Sequence, residues 1–464
     1  MTVETRPKRQ LLRRGDAGRL SEHRLEFLDQ AALELMRATG RNQLMQCIWV
    51  YEHPLDDEGL KRFHHNLYAS LGSRLIERSP LPFGRPRWVR PSGSPAPIHY
   101  ADRSRPRDEL LDWADELANL PIDPEHGPGW HLAAQPLDDG ATAVSIVASH
   151  VIGDGTGALM AVFEAITGNI RNPGYDAPRS RTRSRAIRAD LRQALRDLPL
   201  TLRTAVKAAK MVRQKRQDFA NARAAQASTS DGQHVTVPSV ALYIDIPEWD
   251  AKAESLGGNS YSLLAGFAAK LGEHLGRRRA SDGAVTLVIA INLRDSLDDD
   301  RALAMAFANA TVDPTNVTTD LTEARNGVRE AREKAKNEPD PTMELMPLIP
   351  WLPQSAVKGV ADLLFAYSED LPISCSNLGD LPPDLAQVDG TPAEYVLIRA
   401  LDTDVTVGEL ERSHGQLVVV SGRINGKISI SVEAYELGAE NSKERLRAVV
   451  SQTLAEFGLS GVIN

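Results

Sequence analysis

The chain has 464 residues, 42% of them hydrophobic and 25% charged, with a formal net charge of −8. This is the profile of a soluble globular protein with room for two or three domains, and no run approaches the roughly 18 apolar residues of a membrane span. The basic opening MTVETRPKRQLLRRG lacks the apolar stretch of a secretory signal, and Cys47 and Cys375 alone exclude a disulfide framework, which points to a reducing, cytoplasmic setting.

Helical spacing marks LSEHRLEFLDQAALELMRATG, and NQLMQCIWVYEHPLD follows as a strand. DDEGLKRFHHNLYASLGSRLIER reads as a second amphipathic helix with Leu60, Phe63, Leu67 and Leu71 on one face. His64 and His65 are neighbours there and diverge by about 100°, so they read as a solvated face rather than as metal ligands. A Pro/Gly-rich stretch from Ser79 to Pro97 precedes a helix around Arg107–Leu120 and strands near Trp130–Gln135 and Ala141–Ala148. The chain then reads SHVIGDGTG, and TGALMAVFEAITG continues as a helix.

From Arg179 to Arg216 there are 13 Lys/Arg against Asp190 and Asp197, a local charge of +11 that leaves the remainder at −19. A mostly acidic chain with one basic belt suits no nucleic acid, though the belt can meet an anionic surface. Within it Ile187, Leu191, Leu195, Leu198, Leu202, Val206 and Ala209 recur at helical spacing. This predicts an amphipathic helical pair broken near Pro199, with its leucines packed on a lobe and its arginines outward. A loop, QASTSDGQH, leads to the second half, which runs strand (VALYIDIP), helix (YSLLAGFAAKLGEHLG), strand (AVTLVIAINLR) and helices across Asp320–Lys336. A Pro-punctuated stretch at Met346–Pro353, PISCSNLG, and strands at Leu417–Gly422 and Ile428–Tyr435 complete it. The expected division is an N-terminal lobe over residues 1–175, a basic helical linker over 176–235 and a C-terminal lobe over 236–464.

The stretch SHVIGDGTG carries the chemistry. A histidine at the end of a buried strand has its backbone fixed by the ladder, and its ordinary pKa near 6.5 suits a general base at neutral pH. Gly153 and Gly155 are expected to supply backbone freedom for the turn. Asp154, held at that turn, can take a buried arginine and brace the loop. The plain alternative is a hydrogen-bonded histidine beside an Asp-Gly turn, and the isolated motif does not decide between them.

The wider pattern resembles the CoA-dependent acyltransferase superfamily (chloramphenicol acetyltransferase, condensation domains, BAHD enzymes), and most nearly its bacterial wax ester synthase/diacylglycerol acyltransferase branch. The family's signature is H-H-x-x-x-D-G, or H-x-x-x-D-G, at a strand end. EFLDQAALEL and HPLDDEGLKRFHHNLYASL resemble the first helices of the wax ester synthase branch, and PGW at Pro128–Trp130 stands where that branch has Pro-Leu-Trp. INLRD places Arg294 where related enzymes carry an arginine that pairs with the motif aspartate, and SNLG at Ser376–Gly379 resembles a late Ser-Asn-x-x-Gly element. Three positions depart from the pattern. Ser149 replaces the first histidine, Gly129 the leucine, and Ser260-Tyr261 the branch's Asn-Asp pair. These departures leave the product open, a wax ester or acylglycerol-like ester or another acylated lipid or natural product, without touching the chemistry.

The resemblance implies an α+β fold of two chloramphenicol-acetyltransferase-like lobes, each a mixed sheet with flanking helices, and a substrate tunnel between them. It implies acyl transfer from a thioester, acyl-CoA first, to a hydroxyl acceptor, with His150 as the base and no acyl-enzyme. Asp154 would support the motif in a structural pair with Arg294, Gly155 would complete it, and Ser376, Asn377 and Gly379 would form the late element. Asn377 faces the developing oxyanion or holds its own loop; both roles stay open. Asn309 resembles the family's Phe-Gly-Asn region or is a plain strand residue, while Cys375 and Trp130 read as core. No bound cofactor and no metal are expected, since the histidines are scattered and no cysteine pair exists; acyl-CoA or an acyl-carrier protein is a co-substrate. Two alternatives remain: a condensation-type enzyme joining a carrier-protein thioester to an amine or hydroxyl, and a catalytically idle condensation-like scaffold. Hydrolysis is disfavoured by the lack of a Gly-x-Ser-x-Gly elbow. The expected partners are the thioester, an alcohol or lipid acceptor, an acyl carrier protein, and the inner membrane face, met peripherally through Arg179–Arg216.

Overall fold

The computed structural model describes residues 23–214, 232–338, 343–354, 356–357 and 370–464. The basic opening, Lys215, Arg216 and most of the loop QASTSDGQH lie outside these residues. In chain order the first strands are β1 (Asn42–Tyr51), β2 (Leu75–Glu77), β3 (Arg87–Val89), β4 (His99–Tyr100), β5 (Trp130–Pro136), β6 (Thr142–Ser149) and β7 (Ser239–Asp245). Then come β8 (Val285–Asn292), β9 (Met305–Val312), β10 (Ile373–Asp380), β11 (Tyr395–Thr403), β12 (Gln416–Ile424), β13 (Lys427–Tyr435) and β14 (Val462–Ile463).

A five-stranded sheet runs β11–β1–β6–β5–β4, antiparallel except between β4 and β5. β1 is buried from Leu44 to Tyr51, which explains its nearly unbroken apolar run: both faces are covered. On one face Leu60, Phe63 and Leu67 of the helix Asp57–Ala69 meet Cys47, Trp49 and Tyr51. On the other, Leu110, Trp113 and Leu117 of the helix Leu110–Ala118 meet Ile48 and Val50, as the strand's period of two requires. Trp130 is buried in the first of these cores, and its indole N–H donates to Ser73 Oγ at 2.9 Å. β11 comes from the C-terminal half, pairing Thr403 with Asn42 and Tyr395 with Val50. The first sheet is therefore completed by chain from far downstream.

A seven-stranded sheet, β14–β7–β13–β12–β10–β8–β9, mixes parallel pairs (β8–β10 and β10–β12) with antiparallel ones. Its central helix, Ser260–His274, starts at Asn259, whose side chain accepts the Ser262 N–H at 3.0 Å. Leu263, Leu264, Phe267 and Leu271 of that helix are fully buried, each contributing about 1.5–3 kcal/mol relative to exposure. Helices Ile246–Ser255, Thr322–Asn337 and Lys443–Glu456 share its core. Both lobes are mixed sheets with flanking helices, an α+β architecture. No helix among the described residues is long and apolar enough to cross a membrane.

Several local expectations are corrected. The helix Asp57–Ala69 ends well before Arg78, because the Ser70 hydroxyl donates back to the Leu67 carbonyl at 2.8 Å and accepts the Gly72 N–H at 3.1 Å. That turn releases the chain into β2 and leaves Leu71 buried outside the helix. The helix Ile246–Ser255 follows β7 directly, opened by Pro247 in its first turn, where the strand was expected to reach Pro247 and no helix was expected before Tyr261.

The basic belt departs furthest from expectation. Arg183–Gln214 is one helix that passes unbroken through Pro199. Proline removes a backbone bond to the carbonyl four residues earlier, but Leu195 and Pro199 are exposed, so water can serve that carbonyl. The helix is also rotated from the expected orientation. Ala186, Asp190, Ala194, Thr201 and Thr204 face the protein, whereas Leu191, Leu195, Leu198, Leu202 and Val206 are 37–72% exposed. Asp190 explains the rotation: its buried carboxylate accepts from Arg24 at 2.8 Å and from the Ser79 hydroxyl at 2.5 Å. A buried carboxylate without such partners costs several kcal/mol, so its satisfaction outweighs the burial of the leucines.

Candidate active site

β6 is buried from Ala143 through Val147 and stops at Ser149, whose hydroxyl accepts the Val151 N–H at 3.3 Å. This starts a single 3-10 turn, His150–Ile152, so His150 stands where the ladder lets go. Burial is the largest influence on its ring and lowers its pKa from the ordinary value near 6.5. The carboxylates of Asp154 and Asp402 and the residue's own backbone carbonyl oppose that shift without cancelling it. The ring is neutral at pH 7 and keeps a lone pair for an incoming proton.

Asp154 caps the helix Gly155–Thr167 by accepting the Gly157 N–H at 2.8 Å. Arg294 Nη1 donates to its two oxygens at 2.7 and 2.8 Å, and the Ala304 N–H adds a further bond at 2.8 Å. Arg294 Nη2 donates to the carbonyls of Arg301 and Ala302 at 2.8 and 3.1 Å. The Arg294 and Asp154 side chains are only 3% and 4% exposed. A buried pair survives when its remaining donors and acceptors are bonded, and here Arg294 Nε alone is left over. The pair stitches the turn of the first lobe to the loop that follows β8 in the second.

Neither Gly153 nor Gly155 has a left-handed backbone, so the freedom expected of them is not what the turn uses. The glycine that matters is Gly157. A Cβ there would stand 3.0 Å from Arg294 Nη2 and 3.4 Å from an Asp154 oxygen. A Cβ on Gly155 would touch Leu378 at 3.4 Å, so the SNLG element lies directly against the motif.

In that element, Asn377 Oδ1 accepts the Gly379 N–H at 2.8 Å, and Gly379 takes a left-handed φ of 72°. The amide oxygen thus holds its own loop, and the Nδ2 group has no partner among the described residues. Ser376 and Asn377 are half-buried beside it. Cys375 is buried in the core, and burial pushes its thiol up to about 12, so it stays protonated. Asn309 is an exposed residue of β9 opposite Val288. His64 is not solvated: it is half-buried near the Trp130 ring, with Nε2 2.7 Å from the Ala96 carbonyl, while His65 is exposed.

Four supporting residues escaped the sequence reading. Arg74, buried, donates to the Ile152 carbonyl from Nε and Nη2 at 3.0 and 2.8 Å and to the Asp300 carbonyl at 2.8 Å. Its guanidinium lies 4.4 Å over the Trp88 ring. Asp29 accepts the Leu303 N–H at 3.0 Å, and burial raises its pKa to about 6 against the pull of Arg74. Asp402 arrives on β11, paired with Arg41 at 2.7 Å. Glu433 on β13 is buried, and desolvation, with Asp402 adding repulsion, drives its pKa well above the carboxylate range; it accepts from Gln416 at 2.6 Å. A glutamate at an inward position of the strand ISVEAY was the one available signal.

A cleft of about 350 Å³ lies where the start of the helix Ser260–His274 meets the helix Thr322–Asn337. Arg325, Arg329, Arg332 and Lys336 line it against one carboxylate, Glu333, and Arg332 sits 4.9 Å over the Tyr261 ring. Ser260, in the place of the expected Asn-Asp pair, accepts the Trp249 indole N–H at 3.0 Å.

No protein-family model and no curated protein matches the chain. Among solved structures it is similar to the wax ester synthase/diacylglycerol acyltransferase from Marinobacter aquaeolei VT8, at 15% identity and a TM-score of 0.54, over 94% of this chain and 98% of that one. The first condensation domain of the CDA synthetase matches at 13% identity and a TM-score of 0.52, over 95% of this chain and 99% of that one. Polyketide synthase associated protein 5 from Mycobacterium tuberculosis matches at 13% identity and a TM-score of 0.50, over 93% and 97%. Wax ester synthases and condensation domains belong to the CoA-dependent acyltransferase superfamily, and the two-lobed fold of this chain is theirs.

Proposed function

We propose that the protein is an acyltransferase that moves an acyl group from a thioester, acyl-CoA first, to a hydroxyl acceptor. One observation carries the reading: a neutral histidine at a strand end, on a turn that a buried ion pair braces from the other lobe. His150 takes the acceptor's proton as its oxygen attacks the thioester carbonyl. The tetrahedral intermediate collapses by breaking the carbon–sulfur bond, and the histidinium returns the proton to the departing thiolate. The Asn377 Nδ2 group, without a partner among the described residues, is a candidate donor to the oxyanion. No acyl-enzyme is required, because both substrates are held together and Cys375 is a buried, protonated thiol.

The catalytic set is thus His150, with Asp154 and Arg294 as a positioning pair. The working lobes are residues 1–175, whose sheet β11 completes, and the rest of 236–464, joined by the basic linker 176–235. The cleft around Arg325, Arg329, Arg332 and Lys336 supports a phosphate-bearing donor. Ser260-Tyr261 in place of Asn-Asp, with Ser260 engaged by Trp249, argues for an acceptor other than the substrates of wax ester synthesis.

Thiol release from a panel of acyl-CoAs and acyl-carrier proteins, each with alcohol and amine acceptors, tests the reading. Release from acyl-CoA with an alcohol is the expected outcome. Release only from carrier thioesters with amines makes the protein a condensation-type enzyme, and no release with any pair makes it a scaffold.

A further inference from the structure

The leucine stripe of the helix Arg183–Gln214 has no partner among the described residues. Leu191, Leu195, Leu198, Leu202 and Val206 are each more than a third exposed, and at 1.5 Å per residue they extend over about 22 Å. Monomeric proteins seldom leave so continuous an apolar row in water, and where they do it marks a contact surface. Leu191, Leu195 and Leu202 are each followed by an arginine, which sets a second row about 100° round the helix. Arg185, Arg192, Arg196 and Arg203 are exposed and have no side-chain partner among the described residues. The helix's two carboxylates are both turned to the protein, Asp190 toward Arg24 at 2.8 Å and Asp197 toward Arg85 at 3.5 Å.

We propose that this face is a docking surface for an anionic lipid membrane. The helix lies flat on the bilayer, its leucines at the acyl boundary and its arginines among the phosphates, the arrangement of interfacial amphipathic helices. Charge complementarity selects this occupant. A second copy of the chain, packed isologously, would bring one arginine row against the other. An anionic bilayer meets the apolar stripe and the cations on one continuous surface. The proposal stands on the helix alone and does not depend on the acyl-transfer reading.

The test is sedimentation of the full chain with phosphatidylcholine vesicles, with and without about a third phosphatidylglycerol. Binding to the anionic vesicles alone is expected, weakening as salt rises past about 0.1 M. The triple variant Leu195→Ser, Leu202→Ser, Val206→Ser should lose at least tenfold in binding, and the triple variant Arg192→Gln, Arg196→Gln, Arg203→Gln a similar amount. In a Leu198→Trp variant the added indole should shift to shorter emission wavelength on the anionic vesicles. Three results overturn the proposal: no sedimentation of the wild type at low salt, sedimentation that ignores the leucine changes, or a leucine-dependent dimer in solution without vesicle binding. Turnover of a soluble short-chain thioester, measured on the same preparations, reports the acyl-transfer reading separately.

Discussion

Around Asp154 and Arg294 the charged groups are buried and bonded, whereas along Arg183–Gln214 apolar groups stand in water beside arginines with no side-chain partner among the described residues. Both regions forgo stability that other residues would have given. A buried ion pair seldom outperforms well-packed apolar side chains, and a leucine left exposed gives up about 1.5–3 kcal/mol. At the turn, what is gained is position: Asp154, Arg294 and Arg74 brace the turn that carries His150. On the helix, the gain requires something outside the chain. The difference separates a site fixed by the fold from a surface that waits for a partner.

Substitutions can break that contrast. The largest effect is expected at His150, where His150→Ala should lower turnover by about 10²–10⁴-fold, the range for losing a general base, with an unchanged thermal melt. Retention of activity within a few-fold would leave the turn braced for no chemical purpose. Arg294→Met strands a buried carboxylate and should cost about 3–5 kcal/mol in denaturant unfolding; a loss below about 1 kcal/mol would mean that the Gly157 and Ala304 N–H groups suffice for Asp154. Gly157→Ala pushes a methyl against the Arg294 guanidinium and should cost about 1–3 kcal/mol as overpacking. The smallest effect is expected on the long helix. Leu195→Ser and Leu202→Ser should each change stability by less than about 0.5 kcal/mol, and a loss above about 1 kcal/mol would show that the stripe is covered in solution.

Much of the architecture was legible from local pattern. β1, β6 and the helices after Asp56, Asp154 and Asn259 follow from apolar runs and capping residues next to them. The long helix shows where such a pattern stops: periodicity fixes which residues share a face but not whether that face is the one packed. Here a single aspartate with distant partners, Arg24 and Ser79, decided the rotation. β11 was missed because it carries Arg399 and Asp402 within its run and belongs to a sheet begun at Asn42. Of the site, His150 and Asp154 stood out as candidates at a strand end, while the choice of Arg294 as the partner of Asp154 came only through family resemblance. Arg74 and Asp29 act on carbonyls and N–H groups of residues 152 and 300–303, and nothing near them in the chain announces those contacts.

The central claim is that His150 works as a neutral base, and the pH dependence of kcat/KM tests it most directly, since that parameter reports the free enzyme. Burial lowers the histidine's pKa, so the base should deprotonate below its ordinary midpoint near 6.5. Activity should rise through an acidic limb with its midpoint under about 6.5 and be level by neutral pH, and His150→Ala should erase that limb along with most of the rate. A limb centred above about 6.5, or one that persists unchanged in the variant, would contradict the account.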